Sequence, residues 1–348
     1  MSIVIEGGRV PNLLSRLECS RSLRPTVAQG TPAERIRIAL INNMPDPALE
    51  DTEVQFFELL DSAAGNLPLS LKLYSLPELP RSDAGQQHLN DFYFRIDDLL
   101  NSQFDGMIMT GTEPRQPDLR DEPCWSILTK VLDWAERSTV STVLSCLAAH
   151  AGVLYSDGIP RHRLPDKQFG VFEYNKIRAH ALTSGAGDRI EIPHSRWNEV
   201  RADALASCGY EVLTQSAKAG VDLFVKKKKN SLFIHFQGHP EYGARTLLKE
   251  YRRDIKRFLR RERETYPTMP HGYFDAATAK LLSEFRECVV ADPREELLAK
   301  FPEAAVAGAV EGTWQASAAS MYRNWLQYLL TKRAEHSSLS AMSPAVRG

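Results

Sequence analysis

The stretch TVSTVLSCLAAHAG, residues 139–152, decides the fold. Its first seven residues are a β-branched, largely apolar run and predict a short buried strand. The run leads straight into Cys146, and the small residues Ala148, Ala149, Ala151 and Gly152 that follow suit a helix packed closely on a sheet. Strand, sharp turn and helix around a cysteine resemble a nucleophile elbow, although Leu144 and Ala148 stand where glycines are usual. A thiol at that point meets the unpaired N–H groups and the positive end of the helix. Both favour a thiolate and can receive an oxyanion. Taken alone, the segment also fits a buried structural cysteine.

The same alternation extends toward the N-terminus. IRIALI (36–41) predicts a strand that stops at Asn42-Asn43-Met44-Pro45-Asp46-Pro47. Residues 50–63 carry Val54, Phe56, Phe57, Leu59 and Leu60 at helical spacing behind Asp51-Thr52-Glu53. A strand at 70–75, a helical stretch at 86–101, a strand within 104–111 and a helix at 123–137 complete the pattern. Short apolar strands between helices predict an α/β fold: a mostly parallel sheet with helices on both faces. Beyond Ala149 the pattern loosens. Residues 160–215 read as loops with short strands, Phe169–Tyr174 and Arg189–Pro193. A hairpin (221–225 and 231–236) encloses a lysine-rich turn, and a basic helix spans about 243–264. Helical stretches at 274–290 and 294–300, an Ala- and Gly-rich linker at 302–312 and an aromatic helix at 314–330 follow. The chain thus divides into an N-terminal arm (1–35), a main domain (36–265), a C-terminal helical region packing on it (266–335) and a disordered tail (336–348).

Composition narrows the function classes. The 348 residues carry 43 basic and 44 acidic side chains, a formal charge of −1 that gives no general attraction for nucleic acid. No apolar run is long enough to span a membrane, and the N-terminus lacks a signal-peptide pattern. Five scattered cysteines form no CxxC pair, which argues against a disulfide framework or a zinc site and for a reducing cytoplasm. No G-x-G-x-x-G or P-loop occurs, and His180, His194 and His235 have no metal-ligand spacing, so no metal or bound cofactor is expected.

Two further segments carry chemistry. In FQGHPEY (236–242) a strand ends, Gly238 permits a tight turn, and His239 and Glu241 follow before a helix. A histidine at a strand end points into the crevice above the sheet, and a glutamate two residues on can hold its tautomer. Cys146 with His239 and Glu241 supplies what thiol catalysis requires: a nucleophile, a base and a group that orients the base. Thr110-Gly111-Thr112-Glu113-Pro114-Arg115 lies on the same crevice edge, where Gly111, Thr112 or Leu147 can offer an oxyanion N–H. Lys226–Lys229 reads as a solvated turn, and the arginines of 252–261 as a solvated face or an anion site.

These landmarks occur in a set order. To Cys146-Leu-Ala-Ala are added Ile159-Pro160, Lys167, Gly170-Val171-Phe172-Glu173, Pro193-His194-Ser195-Arg196, Gly238-His239-Pro240-Glu241-Tyr242 and Arg253-Asp254. Asn42-x-Met-Pro45, Thr52-Glu53-x-Gln55-Phe56, Thr110-Gly111 and Asn324-Trp325-Leu326 join them. The set resembles the homoserine O-succinyltransferase (homoserine transsuccinylase) family, whose fold is related to class I glutamine amidotransferases. The resemblance implies a ping-pong transfer from succinyl-CoA or acetyl-CoA to homoserine, in methionine biosynthesis. Cys146 would carry the acyl group, His239 would act as base and Glu241 would orient it. Arg253 would bind the acceptor's carboxylate, Lys167 the substrate, and Ser195 would lie in the substrate pocket. Small-molecule substrates and a homodimer are the partners it implies. Alternatives remain: serine or another hydroxy amino acid as acceptor, an amidotransferase-type hydrolase, or a non-catalytic binding protein on this fold.

The family position matching Arg115 is linked to acyl choice, with Gly for succinyl and Glu for acetyl donors. Arginine is neither, and a charge in a crevice calls for a counter-charge such as a succinyl carboxylate. Arg115→Glu should therefore cut kcat/KM for succinyl-CoA far more than for acetyl-CoA. An equal loss with both donors would show that Arg115 does not read the acyl group.

Overall fold

The structure is a computed structural model that describes residues 3–6 and 34–342. Most of the anticipated N-terminal arm, 7–33, lies outside the described residues, as do 343–348.

The chain order is strand β1 (Ile3–Ile5), β2 (Ile36–Ile41), helix α1 (Asp46–Ala64), β3 (Leu69–Tyr74), α2 (Asp83–Phe92), α3 (Ile96–Leu100), β4 (Gly106–Met109) and α4 (Trp125–Ser138). Next come β5 (Ser141–Ser145), α5 (Leu147–Asp157), β6 (His162–Lys176), β7 (Arg189–Glu199), α6 (Ala202–Ser207), β8 (Glu211–Val212), β9 (Thr214–Ser216), β10 (Gly220–Val221), β11 (Leu223–Lys228) and β12 (Ser231–Phe236). Helices α7 (Thr246–Leu259), α8 (Ala276–Ala291), α9 (Glu303–Gly308) and α10 (Gln315–Met342) close the chain.

The main sheet has the order β1-β3-β2-β4-β5-β12-β11-β8. It is parallel from β1 to β12, and β11 and β8 join antiparallel. Every residue of β4, β5 and β12 is buried, as expected for central strands covered on both faces. On one face Phe56, Phe57 and Leu60 of α1 and Tyr322, Trp325 and Leu329 of α10 pack against the sheet. On the other, Leu128, Val131 and Leu132 of α4 and Ala148 of α5 do so. A second, antiparallel sheet, β10-β9-β6-β7, stands beside the end of the first.

Several boundaries differ from the sequence reading. Residues 3–5, placed in an irregular arm, pair with Leu69–Leu71 as an edge strand. The helical stretch 86–101 is two helices, because the Phe94 amide is captured by the Leu73 carbonyl at 2.8 Å. The short strands of 160–215 are parts of β6 and β7, the later half of one and the first half of the other; these are fifteen and eleven residues long and satisfy one another's backbone groups. The linker at 302–312 contains α9, and α10 continues to Met342, well into the anticipated tail. Lys226 and Lys228 belong to β11 rather than a turn, and both pair with Asp157.

The last helix is anchored rather than appended. Asn324 donates to the carbonyls of Leu182 and Ser184, and Trp325 is 2% exposed. Its ring needs a glycine beneath it: a Cβ on Gly106 would lie 2.7 Å from Trp325 and 2.9 Å from Leu329. Gly106→Ala should cost about 1–3 kcal/mol by overpacking, read as a lowered urea midpoint. An unchanged midpoint would mean that α10 does not seat on β4.

Candidate active site

Strand β5 delivers Cys146 in a backbone conformation that only a special site tolerates. Its φ is +53° and its ψ −115°, in the region that L-residues avoid, at a cost of about 1–3 kcal/mol. The neighbouring strand holds it there: the Cys146 amide donates to the Phe236 carbonyl at 2.8 Å, just past the last β5–β12 pair, Ser145↔Phe236. The turn starts α5 immediately after Cys146.

Because β12 lies next to β5, the turn after Phe236 emerges beside the thiol. On one side of His239 lies Cys146, near enough for its charge to act on the imidazole. On the other, its Nδ1 meets Glu241 Oε1 at 2.8 Å. Glu241 also accepts from Ser145 Oγ at 3.3 Å, and the Tyr242 ring stacks on the imidazole at 4.2 Å. His239 and Glu241 are each 6% exposed. Burial alone would favour neutral imidazole, but the negative charges of Cys146 and Glu241 outweigh it and hold His239 well above its usual range.

The loop after β4 closes the crevice from the other side. Gly111 abuts the first turn of α5, so close that a Cβ would lie 2.9 Å from the Leu147 amide nitrogen. Gly111 and Leu147 are thus brought together at the helix N-terminus, with Thr112 next in the loop. Thr110 ties this loop to the segment after β2 by accepting the Asn43 amide at 2.8 Å. Arg115 lies exposed at the rim of a cavity of about 370 Å³, and its backbone N–H donates to Glu122 at 2.6 Å. Arg161, which the sequence reading passed over, reaches the carbonyls of Gln116 and Pro117 and so holds the same loop.

Lys167, Ser195 and Arg253 come together around a residue that the sequence reading missed, Glu250. Ser195 Oγ donates to its Oε2 at 2.5 Å and Tyr242 OH to its Oε1 at 2.7 Å. Lys167 and Arg253 stand 3.5 and 3.6 Å from Oε2. Burial would raise the Glu250 carboxyl, but Lys167 and these hydrogen bonds keep it below the usual value. Asp254 binds Lys167 at 3.6 Å and Arg253 at 3.3 Å. Glu250 lies one helical turn before Arg253, and that spacing was its only sequence signal. Tyr242 links the two clusters, stacking on His239 while bonding Glu250.

Gln237 was also missed. Its side chain accepts from Val200 N at 2.7 Å and donates to Val221 O at 2.7 Å, and it meets His150 of α5 at 2.9 Å. It therefore ties the nucleophile's helix to the histidine's turn. Among the described residues no three His, Cys, Asp or Glu converge on a metal position, and no helix is long and apolar enough to cross a membrane.

A family model described as homoserine O-succinyltransferase matches residues 13–336. Over 295 residues the chain is 45% identical to a homoserine O-succinyltransferase of Rhodopseudomonas palustris, with 84% of this chain and 88% of that one covered. A homoserine O-succinyltransferase of Methylorubrum extorquens is 42% identical over 292 residues, with 84% and 86% covered. Among solved structures, a glutamine amidotransferase of Thermotoga maritima aligns over 85% of this chain and 98% of its own, at a TM-score of 0.45 and 11% identity.

The electrostatics make the pH dependence specific. Glu241→Gln removes one of the two charges that hold the His239 proton, so the alkaline limb of kcat/KM should move to lower pH. The rate should fall by about 10²-fold or more. An unmoved limb would show that Glu241 does not set the protonation of His239.

Proposed function

The chain belongs to the homoserine O-succinyltransferase family, and from that premise we propose that it moves a succinyl group from succinyl-CoA to the hydroxyl of homoserine through a thioester on Cys146. The observation that carries the proposal is the chain Cys146–His239–Glu241 at the C-terminal edge of a parallel sheet, a half-buried thiol beside a buried histidine and glutamate.

In the first half-reaction the Cys146 thiolate attacks the thioester carbonyl, and the oxyanion forms against the N-terminus of α5, beside Gly111. The intermediate collapses by breaking the bond to the CoA sulfur, which leaves with the proton from His239. In the second, His239, now neutral, takes the proton of the homoserine hydroxyl as its oxygen attacks the acyl-enzyme. The Cys146 thiolate departs and the ion pair is restored. Glu241 keeps the imidazole in one orientation throughout, and the Tyr242 ring holds its plane.

The Glu250 cluster is the acceptor's site in this reading. A guanidinium at Arg253, about half exposed, suits the α-carboxylate. The carboxylates of Glu250 and Asp254 suit the α-ammonium, and Lys167 and Ser195 bound the pocket. The product feeds methionine synthesis, a cytoplasmic process, and no bound cofactor takes part.

Intact-protein mass spectrometry tests the central step. Succinyl-CoA without acceptor should add one succinyl group to the protein, and homoserine should discharge it. Cys146→Ala should abolish the adduct. No adduct and no release of CoA in the presence of homoserine would overturn the reading.

A further inference from the structure

The proposed mechanism leaves unused a buried carboxylate directly behind the catalytic turn. Asp222 ends the link between β10 and β11 and is 1% exposed. The antiparallel pair Leu223↔Phe236 sets it opposite the first residue of the turn. There it grips two successive amides. Its backbone carbonyl accepts from Gln237 N at 3.2 Å, and its Oδ1 accepts from Gly238 N at 2.7 Å. The next amide, His239 N, donates to the Pro193 carbonyl of β7 at 2.8 Å. Every N–H leading into His239 is therefore tethered, two of the three by Asp222.

We infer that Asp222 is a positioning residue that aims His239 at Cys146, by clamping the Gln237–Gly238 backbone and by setting a carboxylate behind the imidazole.

A purely structural carboxyl group would be an expensive choice at this position. Its Oδ2 has no hydrogen-bond partner among the described residues. An apolar side chain would fill the space without burying an unsatisfied oxygen. The site also has no slack: a Cβ on Gly238 would lie 2.5 Å from Ile192 and 2.7 Å from the His194 ring. The charged and titratable groups around Asp222 come from three elements. His194 and Arg196 face it from β7, Tyr174 from β6, and His239 and Glu241 from the turn after β12. His194, fully buried, is held neutral first by desolvation and then by Arg196. Burial pushes the Asp222 carboxyl up to about 7, against the Gly238 amide and the positive charges of Arg196 and His239. Its ionisation and that of His239 thus support each other.

The inference rests on the acyl-transfer reading, and two variants test it. Asp222→Ala loses both the Gly238 tether and the charge. Its kcat should fall by about 10²-fold, the scale of a small misplacement of a catalytic group, with both KM values unchanged. Asp222→Asn keeps an oxygen for the Gly238 amide but not the charge. It should retain most of the rate, and the alkaline limb of its kcat/KM profile should move to lower pH. Wild-type kcat in Asp222→Ala, or an unmoved limb in Asp222→Asn, would overturn the inference. If the alanine variant fails to fold, the asparagine variant decides alone. Failure of the acyl-transfer reading has a different signature, namely wild-type protein that forms no acyl-enzyme. The pH profile of Cys146 alkylation by iodoacetamide would then still report on Asp222.

Discussion

One backbone hydrogen bond organises the site: the Cys146 amide donating to the Phe236 carbonyl. It is the last rung between two adjacent parallel strands, and it lies where both chains leave the sheet. On one side it holds a non-glycine residue at positive φ, which the isolated chain would not maintain. On the other it sets the start of the turn that carries His239 and Glu241. Cys146 and His239, the proposed nucleophile and base, are thus fixed to each other by the sheet, and little loop entropy is lost on bringing them together.

Around that rung the protein spends several buried charges and leaves few of them uncompensated. Glu250 is shared among Ser195, Tyr242, Lys167 and Arg253, and Glu241 among His239 and Ser145. A buried ion tolerates its desolvation only when hydrogen bonds surround it. Here the surrounding groups also connect the two halves of the chemistry, because Tyr242 touches both His239 and Glu250. A change at the Glu250 cluster can therefore reach His239 through a single ring.

The parts legible in the sequence were those whose reasons are local. The β-branched run before Cys146 and the apolar runs at 36–41 and 70–75 announce buried strands by composition alone. Glu241 declares itself as the partner of His239 because two residues separate them. The long strands β6 and β7 were not legible at full length, since their outer residues are polar and are held by pairing with each other. Glu250 was lost among the charges of a basic helix: its partner Ser195 is 55 residues away. Asp222 lies 16 residues from the amide it holds, and nothing in Ala219-Gly220-Val221-Asp222 marks it.

By itself the sequence determined the fold class, and it proposed Cys146 as nucleophile, His239 as its base and a set of ordered landmarks, because each depends on hydrophobic pattern or on chemistry within a few residues. Only the tertiary structure decided what surrounds them. Strand order placed β12 beside β5, the Trp325 helix over Gly106, and four side chains from four segments around Glu250. Those relations turn on which strand neighbours which. That choice is made by the burial of whole faces, and no local segment encodes it.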